Sequence, residues 1–245
     1  MRVIINADDF GYSKGISEGI IESYKNGIVT STTIMMNMPF AEDSLKLYKE
    51  VKGLGLGVHL NLTTGRPLLN KKNSLVTESE EFHKRNEVIN YDINDVYNEL
   101  KAQIEKIISY GYYPSHLDTH HDLQLTESLR ECISRLALEY KLPVRINENE
   151  YIEFFRNKGI KTVDRFIRDF HNDNIQFDVI KNIVKNNSNY GTVEIMTHTG
   201  YMNDETAKIT SYNYQREIQL KSLTSITKED FCNKYNIELI NYMDL

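Results

Sequence analysis

Apolar and polar positions along this chain shift repeatedly between a period of two and a period near 3.6, and the pattern reads as strand then helix about seven times over. The first apolar run, Arg2-Val3-Ile4-Ile5-Asn6-Ala7, is rich in β-branched residues and predicts a buried strand; it runs straight into Asp8-Asp9-Phe10-Gly11. Ser13 to Asn26 predicts a helix, capped by Ser13, with Ile16, Ile20 and Tyr24 on one face and Gly27 suited to the left-handed position beyond its end. Ile28 to Met36 reads as extended, Ala41 to Val51 as helix, and Leu54 to Leu60 as a third strand whose glycines imply close backbone packing. Residues 67–90 are polar without a clear period and predict a long surface loop of the kind that often serves as a lid.

Further on, Asn94 to Tyr110 carries the clearest helical period, through Val96, Leu100, Ile104, Ile107 and Ile108, and Gly111 ends it. Pro114 to Asp118 predicts a short strand, and a helix with Leu129, Ile133, Leu136 and Tyr140 on one face follows. Leu142 to Ile146 is strand-like and carries Arg145. Residues 147–189 are polar and Asn-rich, with helix expected around Val163 to Phe170 and Phe177 to Val184. Thr192 to Met196 predicts a strand, Tyr214 to Leu223 and Thr227 to Tyr235 helices, and Ile237 to Ile240 a closing strand. Strand and helix in alternation imply a parallel sheet covered by helices. A (β/α) barrel, incomplete or distorted, is the economical closure at this length, with an open doubly wound sheet as the alternative. No GxGxxG follows the first strand, which counts against a dinucleotide-binding sheet.

Composition narrows the classes. The 245 residues, with no internal repeat or low-complexity linker, read as a single domain over 1–245. A net charge of -6 with Lys and Arg spread along the chain argues against nucleic acid or an anionic membrane as the main partner. Cys132 and Cys232 lie far apart without CxxC spacing and read as reduced thiols. The first apolar run is too short for a signal-peptide core and no run is long enough to span a membrane, so the expected location is cytoplasmic.

The candidate chemistry recurs at one kind of place. Asp8 and Asp9 follow the first strand, His59 ends the Gly-rich one, Asp118, His120 and His121 follow the next, and His198 follows a later one. In barrels, strand ends of this kind meet at one mouth. One Asp and two His make a workable set for a divalent cation with positions left open for water and substrate. Each residue also has a plainer reading: the aspartates as helix caps, His59 as a satisfied core histidine, His120 and His121 as turn residues, His198 as a loop hydrogen-bonder. His116 reads as structural, while His83 and His171 are expected to be solvent-exposed. Arg145 in an apolar strand requires a buried anion, either a core salt bridge with Glu194 or a carboxylate of the site.

Four stretches, Asn6-Ala7-Asp8-Asp9-Phe10-Gly11, Gly27 to Thr33, Gly57-Val58-His59-Leu60-Asn61-Leu62-Thr63 and Ser115-His116-Leu117-Asp118-Thr119-His120-His121, resemble the YdjC-like carbohydrate deacetylases, of which chitooligosaccharide deacetylases are the best-known type. Glu194 to His198 and the region from Tyr212 to Leu223, with Arg216, are similar too; the likeness thins between residues 147 and 189. The resemblance implies an incomplete barrel, a divalent ion held by Asp9, His59 and His120, and hydrolysis of an N-acetyl group on an amino sugar with Asp8 as base. By similarity to the wider polysaccharide-deacetylase arrangement, Arg145 would orient Asp8 and His198 would act as acid. Asn37, Asn61 and Asp122 are the candidates for contacting sugar, magnesium is the first expectation for the ion with zinc, manganese, cobalt or nickel compatible, and a homodimer is implied.

Two departures bear on substrate. The family's run usually reads His-His-His-x-His, and here it is His120-His121-Asp122-Leu123-Gln124; Thr199 stands where Pro commonly follows the late His. A metal-dependent esterase or phosphoesterase, and a sugar-binding protein without catalysis, stay open as alternatives.

Overall fold

A computed structural model describes residues 1–69, 73–85, 91–121 and 123–245. In chain order the elements are β1 (Arg2–Phe10), α1 (Lys14–Lys25), β2 (Ser31–Ile34), α2 (Ala41–Lys49), β3 (Gly55–Leu60), α3 (Ile93–Ser109), β4 (Leu117–Thr119) and α4 (Glu127–Tyr140). Then come α5 (Ile152–Asn157), β5 (Arg165–Ile167), α6 (Phe177–Asn186), β6 (Thr192–Thr197), α7 (Asp204–Ile209), α8 (Tyr214–Leu223), α9 (Lys228–Tyr235) and β7 (Glu238–Leu239). All strand pairs are parallel, in the order β4-β3-β2-β1-β6-β5, and the sheet curls into a half-barrel. β7 pairs with Arg2 and Val3, ahead of the point where β2 joins β1 at Asn6. β1 is therefore the central strand, and it is buried from Val3 to Phe10.

Helix starts follow the local chemistry. The hydroxyl of Ser13 accepts from the Ile16 amide, and the carboxylate of Asp92 accepts from the Asn94 amide, each satisfying a donor that an α-helix leaves unpaired. α1 turns Ile16 and Ile20 onto the sheet, and α3 does the same with Val96, Leu100, Ile104 and Ile107.

Two expected elements differ. Leu142 to Ile146 contributes one bridge, Val144 to Leu117, and no extended strand. Pro143 has no N–H to give a ladder, and the chain uses what remains: Leu117 N donates to Pro143 O, Arg145 N to Leu117 O, and Val144 N to Lys161 O. This short segment fills the seam between β4 and the approach to β5, and it carries Arg145 inward. The second difference is at Val163 to Phe170, where β5 stands in place of a helix.

Candidate active site

A cleft of about 700 Å³ opens at the C-terminal ends of the strands, and Asp8, Asp9, His59, His120, Arg145 and His198 all line it. Strand alternation would send Asp8 and Asp9 to opposite faces. The ladder between β1 and β2 shifts register between Ala7 and Phe10, and Asp9 has a φ of 73°, so the strand bulges there and both carboxylates reach the same cleft. Asp tolerates this left-handed conformation better than most residues.

Asp9 Oδ1 lies 3.4 Å from His59 Nε2 and 3.2 Å from His120 Nδ1, and those two nitrogens are 3.2 Å apart. Oδ1 is buried without a hydrogen-bond partner, while Oδ2 accepts from Arg216 Nη2 at 2.6 Å. Burial works to raise Asp9, but the Arg216 charge and the two imidazoles beside Oδ1 outweigh it and hold the carboxyl well below its usual range. Three donor atoms thus face one point. Metal–ligand bonds of about 2.0–2.2 Å set ligand–ligand spacings of about 3.0–3.5 Å, so the trio fits a divalent ion.

His59 owes its aim to register. It pairs with Asp118 across β3 and β4, and its Nδ1 is 2.7 Å from Asp118 Oδ1. That carboxylate also accepts from Thr33 Oγ1 at 2.8 Å and lies 2.9 Å from Arg145 Nη2. Burial works to raise Asp118 as well, but Arg145 and His59 overcome it and bring it down to about 2. Asp8, His59 and Asp118 also cluster closely enough to suggest a second ion. The Arg145 guanidinium already occupies the space between Asp8 and Asp118, so that group is an ion-pair network rather than a cation site.

Arg145, 2% exposed, donates to Asp8 through both Nη atoms, the Nη1 bond measuring 2.7 Å, and to Glu194 Oε1 through Nε at 2.9 Å. Both anticipated anion partners are present at once. Asn6 Nδ2 adds a 2.9 Å bond to Asp8 Oδ1. Burial pushes Asp8 up to about 7 against the pull of Arg145 and His59. His198 Nε2 stands 3.9 Å from Asp8 Oδ2, its backbone amide donates to Gln219 Oε1 at 2.6 Å, and burial holds its imidazole well below the usual histidine range.

The structure does not bring every expected residue to the cleft. Asn37 and Asn61 spend their amides on each other and on the loop after β3: Asn37 Nδ2 donates to Thr64 O and Arg66 O, and Asn61 Nδ2 to Asn37 Oδ1 and Thr64 O. They shape the cleft through Thr64, which lines it. Asp122 lies outside the described residues. Gln124 is buried under the site, where its amide donates to Arg145 O at 2.7 Å and its oxygen accepts from Asn147 N. His116 is structural, stacked on Tyr242 with centroids 3.7 Å apart. His171, expected in solvent, is half-buried and lines the cleft, stacked at 4.5 Å on Tyr212. Asp118 stood among the strand-end candidates without an assigned role, whereas Arg216 and His171 were missing from them. For Arg216 the only signal was its place in the resembling C-terminal stretch.

A profile of the family described as YdjC-like protein matches residues 2–234. The chain belongs to the YdjC-like family. The carbohydrate deacetylase of Clostridium beijerinckii is 42% identical over 251 residues, covering 100% of both chains. That of Thermoanaerobacter pseudethanolicus is 37% identical over 244 residues, covering 98% of this chain and 97% of its own. Among solved structures, a putative cellobiose-phosphate cleavage protein from Enterococcus faecalis V583 superposes with a TM-score of 0.92 at 30% identity, covering 99% of this YdjC-like chain and 98% of that one. A family 4 acetyl xylan esterase from Clostridium thermocellum, solved with a cobalt ion, shares the fold at a TM-score of 0.56 and 10% identity, over 100% of this chain and 89% of that one. Among the described residues, no helix is long and apolar enough to cross a membrane.

Proposed function

We propose that this protein is a metal-dependent carbohydrate deacetylase that removes an N-acetyl group from an amino sugar or short chitooligosaccharide. The observation that carries the reading is the meeting of Asp9 Oδ1, His59 Nε2 and His120 Nδ1 beside Asp8, in a YdjC-like chain whose full-length relatives are named carbohydrate deacetylases. Two imidazole nitrogens and one carboxylate oxygen weigh toward zinc, cobalt, nickel or manganese over magnesium. Such an ion, when bound, supplies Lewis acidity to the amide carbonyl and to water.

The remaining work falls to the chain. Arg145 and Asn6 fix the plane of Asp8, so that its carboxylate takes the proton of an attacking water. Its elevated proton affinity suits it to accept near neutral pH. An amide does not expel nitrogen without protonation, and His198 stands beside Asp8 for that transfer. His198 begins neutral, because burial keeps its proton affinity low. Base and acid therefore handle one proton in series: Asp8 takes it from water, and it reaches the departing amine by way of His198.

The test is acetate release from N-acetylglucosamine oligomers by chelator-stripped protein, with divalent ions added back one at a time. Asp8→Asn is expected to cut turnover at least about a hundredfold with the ion still bound, whereas His120→Ala loses both. No acetate with any ion defeats the proposal, and near-normal turnover in Asp8→Asn defeats the assignment of the base.

A further inference from the structure

Behind the cleft, the buried network continues past Arg145 to the far end of the chain. Glu194, on β6, accepts from Arg145 Nε through Oε1 and from the Tyr242 hydroxyl through Oε2. Tyr242 opens the last turn, Tyr242–Asp244, which Asn241 caps by accepting from the Met243 amide while Asp244 accepts from Asn241 N. Asn241 Nδ2 also ties this turn to Gly53 O. The tyrosine ring is held separately, stacked face to face on His116 at an interplanar angle of 7°. Tyr242 is 1% exposed and Glu194 0%.

We infer that Glu194 and Tyr242 are positioning residues for Asp8: Tyr242 fixes Glu194, and Glu194 fixes the guanidinium that presents Asp8 to water. This rests on the deacetylase reading. Glu194 engages Nε, the point about which the guanidinium plane would otherwise swing, while both Nη atoms engage Asp8. A fork-shaped donor transmits any rotation to a carboxylate that it grips at two points. Three buried carboxylates, on Asp8, Asp118 and Glu194, surround one guanidinium. The Tyr242 hydroxyl supplies a donor that relieves this excess of acceptors without adding charge. Neither residue touches the cleft, so neither contacts sugar or the ion.

Tyr242→Phe removes the hydroxyl and keeps the stack on His116. In full-length protein loaded with zinc and assayed on diacetylchitobiose, Tyr242→Phe is expected to lower kcat about tenfold, with KM within about twofold and zinc affinity unchanged. Met243→Ala, on the exposed side of the same turn, is expected to match wild type. Unchanged kcat in Tyr242→Phe overturns the inference, as does a loss explained by weaker zinc binding or a lower melting temperature. A second readout needs no turnover: the Arg145 Nε–H resonance, assigned by its absence in Arg145→Lys, should shift in Tyr242→Phe. If wild type releases no acetate, the deacetylase reading falls by itself, and this resonance decides whether the clamp exists. An unmoved signal overturns it.

Discussion

His59 sits between two carboxylates, with Nδ1 on Asp118 and Nε2 facing Asp9. Burial works to strip its proton, but the charge and hydrogen bond of Asp118, with Asp9 beside Nε2, outweigh burial and lift the imidazole to about 10. Without a cation the ring therefore carries its proton at neutral pH. A metal ion taking Nε2 must displace that proton. Zinc binding near pH 7 is expected to release about one proton, with apparent affinity rising roughly tenfold per pH unit. Calorimetry in buffers of different ionisation enthalpy counts it, and a heat independent of buffer would show that His59 is neutral before zinc arrives. In the proposed metal site, the Asp118 carboxylate would do two jobs: aim the His59 ring, and set the pH at which an ion could take its place.

β3 can bring His59 to the mouth because Gly57 lets the His116 backbone and ring lie against it. A Cβ at Gly57 would come within 2.5 Å of the His116 ring and 2.8 Å of its carbonyl oxygen. The ring is itself pinned by Tyr242. Gly57→Ala is expected to destabilise the fold by about 1–3 kcal/mol, read as a lower urea midpoint at unchanged slope. An unchanged midpoint would mean that the ring has room to move. The glycines of this strand were legible as a sign of close packing, but what packs there was not. Legibility failed elsewhere for equally local reasons. Val163, Phe166, Ile167 and Phe170 fall at helical spacing, yet all are buried around a strand of three residues, so the period was a by-product of burial on both faces. The bulge that gathers Asp8 and Asp9 leaves no mark in an alternation pattern. The strand ends bearing His59, His120 and His198 were legible, because each follows a short apolar run. The partners of Arg145 come from β1, β4 and β6, and no local pattern contains them.

At the scale of the whole molecule, these buried groups link stability to pH. Burial is the largest influence lowering His116, His121, His120, His171 and His198, the first two to about 3. The unfolded chain protonates each of them near pH 6.5, so on acidification from there it takes up protons that the folded state refuses. Asp8, at about 7, and Glu194 work the other way, because burial raises both and the folded state holds their protons longer. Five histidines against two carboxyls leave the unfolded state binding more protons, so stability falls as pH drops below about 6.5. On the alkaline side the sign reverses at His59: the folded state keeps its proton up to about 10, and the stabilisation this brings is lost as pH rises from the unfolded value through that point. The ion-free protein is therefore expected to have its highest urea midpoint near neutrality, with lower midpoints at about pH 5 and about pH 9. Zinc should abolish the alkaline decline specifically, because His59 has then already given up the proton whose loss causes it. Urea titrations at the three pH values, with and without zinc, separate the two limbs. An alkaline decline that persists unchanged with saturating zinc would place its cause outside the trio of Asp9, His59 and His120.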